Sequence, residues 1–115
     1  MLPKNIEISS EEIFEKIKKG DKIAFLDVRK EEKYKDGHLK DATLIPLIEL
    51  SPEKLEQAGI KKDAEIIVYC QRGERSETAC EMLSEWGYKV RHFTGGLDNF
   101  TEKEFIVSDI TDYKN

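Results

Sequence analysis

Ile66-Ile67-Val68-Tyr69-Cys70-Gln71-Arg72-Gly73-Glu74-Arg75-Ser76 is the stretch on which the fold turns. Its first four residues are apolar without a break and rich in β-branched and aromatic side chains. Such a run suits a strand covered on both faces, as in a parallel sheet. Polarity then changes abruptly. A cysteine, a short polar loop with a central glycine and the start of a helical pattern follow. Ala79, Met82, Leu83 and Trp86 keep the i, i+3, i+4, i+7 spacing of one helical face, so a helix is expected from near Arg75 to Gly87.

The same alternation extends outward on both sides. Ile23-Ala24-Phe25-Leu26 is a second continuous run, Thr43-Leu44-Ile45 and Val90-Arg91-His92-Phe93 are shorter ones, and Ile6-Glu7-Ile8 alternates. All five are expected as strands. Between them lie helix signals. Ser9 and Glu12 have the spacing of a capping box, Ile13, Phe14 and Ile17 form an apolar stripe, and Gly20 follows the last turn. Ser51-Pro52-Glu53 opens another helix with proline at its first position, ending at Gly59. Strands alternating with helices require crossover connections, so the expectation is an α/β fold. It has a central, mostly parallel sheet of about five short strands with helices on both faces. Ligands of such sheets bind beyond the carboxyl ends of the strands, where Cys70 lies.

The chain is 115 residues long, with 19 Lys+Arg against 24 Asp+Glu and a net charge of -5. That length suits one domain over 1–115, able to bury roughly two-thirds of its unfolded surface without disulfide or metal staples. The acidic balance argues against nucleic acid as a partner. No apolar run approaches the ~18–20 residues of a membrane span, and Met1-Leu2-Pro3-Lys4-Asn5 lacks the apolar stretch of a leader, so a cytoplasmic location without membrane partners is expected. Two cysteines are no disulfide framework. The charged cluster Arg29–Lys35 reads as a solvated face.

Three effects converge on the sulfur of Cys70. A helix N-terminus presents unpaired N–H groups and partial positive charge. A tight loop before it can turn successive N–H groups into an anion cradle, with Gly73 supplying a conformation closed to other residues. Arg72 and Arg75 add nearby cations, while Glu74 opposes them or faces solvent. Each favourable effect stabilises thiolate, so the pKa of Cys70 is expected below the ordinary ~8.5. Cys80 falls beside the apolar stripe of the following helix and reads as packing. His38 and His92 have no metal-ligand spacing with each other or with the cysteines, so neither metal nor cofactor is expected.

The loop Tyr69–Ser76 and its surroundings resemble the rhodanese homology domain, the fold of single-domain sulfurtransferases. Supporting stretches fall in the family's order: Leu26-Asp27-Val28-Arg29 with Glu32 and Tyr34; Gly37-His38-Leu39 with Ala42, Ile45 and Pro46; and Gly87-Tyr88, Val90 and Gly95-Gly96. The resemblance runs from about Ile6 to Phe100. Asp41 stands where the family often has glycine, and Phe100 where tryptophan is common. The tail 101–115 lies outside it, and the packing of its Ile106, Val107 and Ile110 is open.

The resemblance implies sulfur transfer through a Cys70 persulfide. A small anionic donor, thiosulfate or another persulfide source, would load the sulfur, and a thiol, cyanide or protein cysteine would accept it. Gln71, Arg72, Gly73, Glu74, Arg75 and Ser76 would form the substrate cradle, mostly through backbone N–H groups, with Ser76 also a candidate helix cap. Which of Arg72 and Arg75 meets the substrate stays open. Asp27 and Arg29 would brace the site, and His38 would order its loop. An alternative is a protein-binding persulfide relay with little small-molecule turnover. Cysteine phosphatases and arsenate reductases on related loops use a Cys-x5-Arg spacing. Here Arg75 gives Cys-x4-Arg, and Ser76 holds the position of the phosphatase arginine.

Overall fold

The computed structural model describes residue 2 and residues 4–108. Four parallel strands form the main sheet: β1 (Ile23–Asp27), β3 (Thr43–Leu44), β4 (Glu65–Tyr69) and β5 (Lys89–His92), in the spatial order β3-β1-β4-β5. A second sheet is a two-residue antiparallel pair, β2 (His38–Leu39) with β6 (Ile106–Val107). The helices are α1 (Ser10–Lys19), α2 (Glu31–Asp36), α3 (Pro52–Gln57) and α4 (Glu74–Glu85).

Strand alternation sends side chains to two cores. Leu26, Val28, Ile66, Val68 and Cys70 meet Leu55 of α3 and Ala79, Cys80 and Leu83 of α4 on one face. Phe25, Ile67 and Tyr69 meet Ile13 of α1, with Phe93, Leu97 and Phe100, on the other. The helix starts follow the sequence signals. Ser9 Oγ accepts from Glu12 N at 3.1 Å while Glu12 Oε1 accepts from Ser9 N at 3.2 Å. Ser51 caps α3 ahead of Pro52.

Two local expectations change, and one point the sequence leaves open is settled in part. Ile6-Glu7-Ile8 does not extend as a strand. Lys4–Ile6 form a 3-10 turn, and only Glu7 bridges to His92. The carbonyls of Ile6 and Glu7 are taken by the Arg91 guanidinium at 3.1 and 2.8 Å, which leaves no ladder to propagate. The main sheet therefore has four strands and an edge bridge rather than about five. The charged stretch Arg29–Lys35 is a solvated face over most of α2, where Glu31 and Lys35 pair across one turn at 3.4 Å, but Arg29 at its start is buried. In the tail, Ile106 and Val107 pack back as β6, while Ile110 lies outside the described residues.

From β1 the chain moves to β3 on one side, and the connection from β3 then crosses β1 to place β4 on the other side. The crevice between β1 and β4 is thus the switch point of the sheet, where ligands of open α/β folds bind. Asp27 and Tyr69 face each other there as the last paired residues. The segments that leave this edge carry Arg29 and Cys70.

Candidate functional site

Cys70 follows β4, and α4 starts four residues later. The intervening loop is held from behind by the turn after β5. Leu97 N donates to Cys70 O at 2.9 Å, and Asp98 N to Gln71 O at 3.3 Å. This fit leaves no room for side chains at two places. A Cβ on Gly73, whose φ is 114°, would stand 2.5 Å from Thr94 O. One on Gly96, at φ 70°, would stand 2.3 Å from Gln71 O. The glycines are needed because two backbone segments touch and because both dihedrals are in the left-handed half of the map.

The curl brings hydrogen-bond donors onto the sulfur. Gly73 N donates to Cys70 Sγ at 3.0 Å, and Ser76 Oγ lies 3.3 Å from it. Cys70 is only 3% exposed. Burial pushes its thiol up, but the Ser76 hydroxyl and the backbone N–H groups of Ser76, Gly73 and Arg72 outweigh it. The thiol accordingly lies below its ordinary range. Cys80 has no such donors, and burial pushes it up to about 12. It packs in the α4 core with zero exposure.

The arginines are arranged differently from the sequence expectation. Arg72 is exposed and its Nε sits 3.5 Å from Asp98 Oδ2. Arg75 is also exposed and borders an apolar hollow of Val28, Pro46, Leu47 and Ile48, with Lys30 on its rim. Ile48 is 94% exposed there. Neither guanidinium hydrogen-bonds the sulfur. The cation built into the site is Arg29, 3% exposed, on the neighbouring strand end. Its Nε and Nη2 grip both oxygens of Asp27 at 2.6–3.1 Å, and Nη2 also donates to Gly37 O at 2.6 Å. Its Nη1 donates to Gln71 Oε1 at 2.8 Å. Gln71 in turn donates to Asp98. Gln71 is thus a side-chain strut between β1 and the β5 turn as well as a loop residue. Glu74 faces solvent.

Ser76 is the third residue of α4 and does not cap it. The N-cap position is Gly73, and Ser76 Oγ lies within donating distance of Gly73 O at 3.1 Å as well as of the sulfur. The same hydroxyl lies 2.7 Å from His92 Nε2. Sequence spacing offered no hint of this contact, because β4–β5 pairing, which sets Val68 opposite His92, is long-range. His38 stacks on Tyr34 with ring centroids 3.7 Å apart and Nδ1 2.7 Å from Tyr34 O, which orders the turn after α2. Among the described residues no cluster of three His, Cys, Asp or Glu side chains is placed to hold a metal. No described helix is long and apolar enough to cross a membrane.

Comparison with known proteins places this arrangement in a family. A sulfurtransferase of Allochromatium vinosum is 30% identical over 92 residues, covering 79% of this chain and 83% of that one. The thiosulfate sulfurtransferase PspE of Escherichia coli is 40% identical over 73 residues, covering 64% and 69%. The crystal structure of BH2092 from Bacillus halodurans superposes with a TM-score of 0.77 at 25% identity, over 90% of this chain and 77% of that one. Residues 10–103 match the family model described as a rhodanese-like domain, and the chain belongs to that family.

Proposed function

We propose that this protein is a sulfurtransferase that carries sulfane sulfur on Cys70. The observation that supports the reading most directly is the pair of donors on that sulfur, Gly73 N at 3.0 Å and Ser76 Oγ at 3.3 Å. They favour the thiolate, which is the nucleophile, and they can serve an anionic sulfur one bond further out. The relatives' named activity supports the same class, and PspE's name points to thiosulfate as donor.

The reaction is a double displacement. The Cys70 thiolate attacks the outer sulfur of thiosulfate. The S–S bond of the donor breaks, and its electron pair leaves with sulfite, a stable anion that needs no proton. Cys70 now bears a persulfide with its negative charge on the terminal sulfur. A thiolate, cyanide or a protein cysteine then attacks that atom and regenerates the Cys70 thiolate. The residues of the loop divide the work. Backbone N–H groups of 72, 73 and 76 hold the charge. Asp27, Arg29 and Gln71 fix the loop against the sheet edge, and Arg72 and Arg75 supply an attractive field for anionic donors.

The test is intact-mass measurement after incubation with thiosulfate and a panel of persulfide donors. The expected result is a gain of one sulfur atom on the wild-type protein, mapped to Cys70, and none on Cys70→Ser. Sulfur gained by Cys70→Ser would overturn the mechanism. Cys70-dependent hydrolysis of an aryl phosphate, with no sulfur uptake, would replace it by phosphatase chemistry.

A further inference from the structure

His92 ends β5, one strand over from the cysteine, and is 5% exposed. Val90 on the same strand faces the α4 core, and the two-residue period of a strand turns His92 the same way. There its Nε2 meets the fully buried hydroxyl of Ser76 at 2.7 Å, and that hydroxyl meets Cys70 Sγ at 3.3 Å. Three neighbours thus compete for one hydroxyl: His92 Nε2, Gly73 O at 3.1 Å and the sulfur.

We propose that His92 is a positioning residue of the sulfur site, which sets the direction of the Ser76 hydroxyl proton and thereby the charge state of Cys70. This rests on the reading of Cys70 as the sulfur carrier.

A hydroxyl has one proton and two lone pairs. When His92 presents Nε2–H, it fills a lone pair of Ser76. The hydroxyl proton then chooses between a neutral carbonyl and an anionic sulfur, and charge-assisted bonds are the stronger. The donor goes to sulfur. When Nε2 is bare it becomes the nearest acceptor, draws the hydroxyl's hydrogen bond to itself, and leaves the sulfur with its backbone donors alone. The tautomer of one ring therefore decides whether the thiolate, and later the persulfide, keeps its side-chain donor.

The surroundings of the ring fit such a role. His92 also borders an open cavity of about 310 Å3, whose charged walls are Glu7 from the edge bridge, Glu74 and Glu77 from α4, and Arg72 from the loop. Burial lowers the pKa of His92, against Glu77, Glu7 and the Gly73 backbone, which raise it, and the net lowering favours the neutral ring, whose tautomer is the variable here.

The experiment titrates the Cys70 thiolate by its ultraviolet absorbance, with Cys70→Ser as the blank and no sulfur donor present. Ser76→Ala is expected to raise the Cys70 pKa by about one unit, roughly a tenfold loss of thiolate near neutral pH. His92→Leu takes the competing acceptor away and leaves the hydroxyl to turn to the sulfur, so its Cys70 pKa should stay at or below that of the unaltered protein. The double variant should match Ser76→Ala alone, because His92 acts only through the hydroxyl. A Cys70 pKa raised by His92→Leu as far as by Ser76→Ala, or a double variant that differs from Ser76→Ala, overturns the proposal. Nitrogen-15 shifts of the His92 ring in the unaltered protein give a second readout. Nε2–H is expected when Cys70 is ionised, and a bare Nε2 under that condition is the contrary result. The titration needs no donor, so failure of sulfur uptake and failure of this linkage are separately visible.

Discussion

Burial and activation of Cys70 oppose each other, and the outcome is decided by hydrogen bonds rather than by nearby cations. A buried thiol without donors goes the way of Cys80, which is pushed up to about 12. Cys70 goes the other way because the chain reverses over it and aims N–H and O–H groups at one atom. The consequence for pH is direct. Loading requires the thiolate, and an acid with a lowered pKa is ionised at lower pH. The single-turnover rate of sulfite release from thiosulfate should therefore climb with pH and level off below the ordinary thiol value of ~8.5. In Ser76→Ala the plateau should move upward by about one unit. A wild-type rate still rising above ~8.5 would contradict the assignment of Cys70 as an activated thiolate. Proximity in sequence misplaces the arginines here. Arg72 and Arg75 flank the cysteine along the chain yet turn outward, whereas Arg29, 42 residues from its partner Gln71, is the one locked into the site.

Elements long enough to carry a period were legible. The continuous runs ending at Leu26 and Tyr69 became β1 and β4, and the capping box of Ser9 and Glu12 starts α1 where its spacing says. The loop around Cys70 was legible because a strand, a glycine and a helix start adjoin in sequence. Thr43-Leu44-Ile45 became β3, but the two-residue strands β2 and β6 carry too little pattern and exist only through pairing between distant segments. His92 and Asp98 were invisible as site residues for the same reason. Asp41 belongs to this scale. It follows β2 in the tight turn to β3, and its φ of 67° is the only positive value on a non-glycine among the described residues. The glycine common at this place in the family avoids a steric cost that aspartate tolerates only in part. Asp41→Gly is expected to stabilise the fold by about 0.5 kcal/mol, seen as a higher urea midpoint with unchanged slope. A lower midpoint would mean that the aspartate side chain holds the turn by a contact worth more than the relieved strain.

At the scale of the molecule, the two sheets form one mechanical path that ends at the sulfur loop. The C-terminal segment returns beside β2: Lys40 N donates to Phe105 O at 2.7 Å, His38 and Leu39 pair with Val107 and Ile106, and Phe105 lies 5.8 Å from Phe14 of α1. Gly37, just before β2, accepts from Arg29 Nη2 at 2.6 Å, and the other end of that guanidinium reaches Gln71. Among the described residues 103–108 none supplies a donor to Cys70, but removing the segment from 103 onward strips the partner from β2 and frees the turn that anchors Arg29. Lost apolar burial at Phe105 and Ile106, together with the lost strand pairing, should cost about 2–4 kcal/mol. Urea unfolding of a chain ending at Glu102 measures that cost. The same protein, kept in conditions where it remains folded, should load sulfur from thiosulfate several-fold more slowly, because Asp27–Arg29 no longer holds Gln71 in one place. Full loading rate with reduced stability would confine the tail to packing. Unchanged stability would mean that the second sheet contributes little to the fold, and that β1 and α1 hold the Arg29 anchor without it.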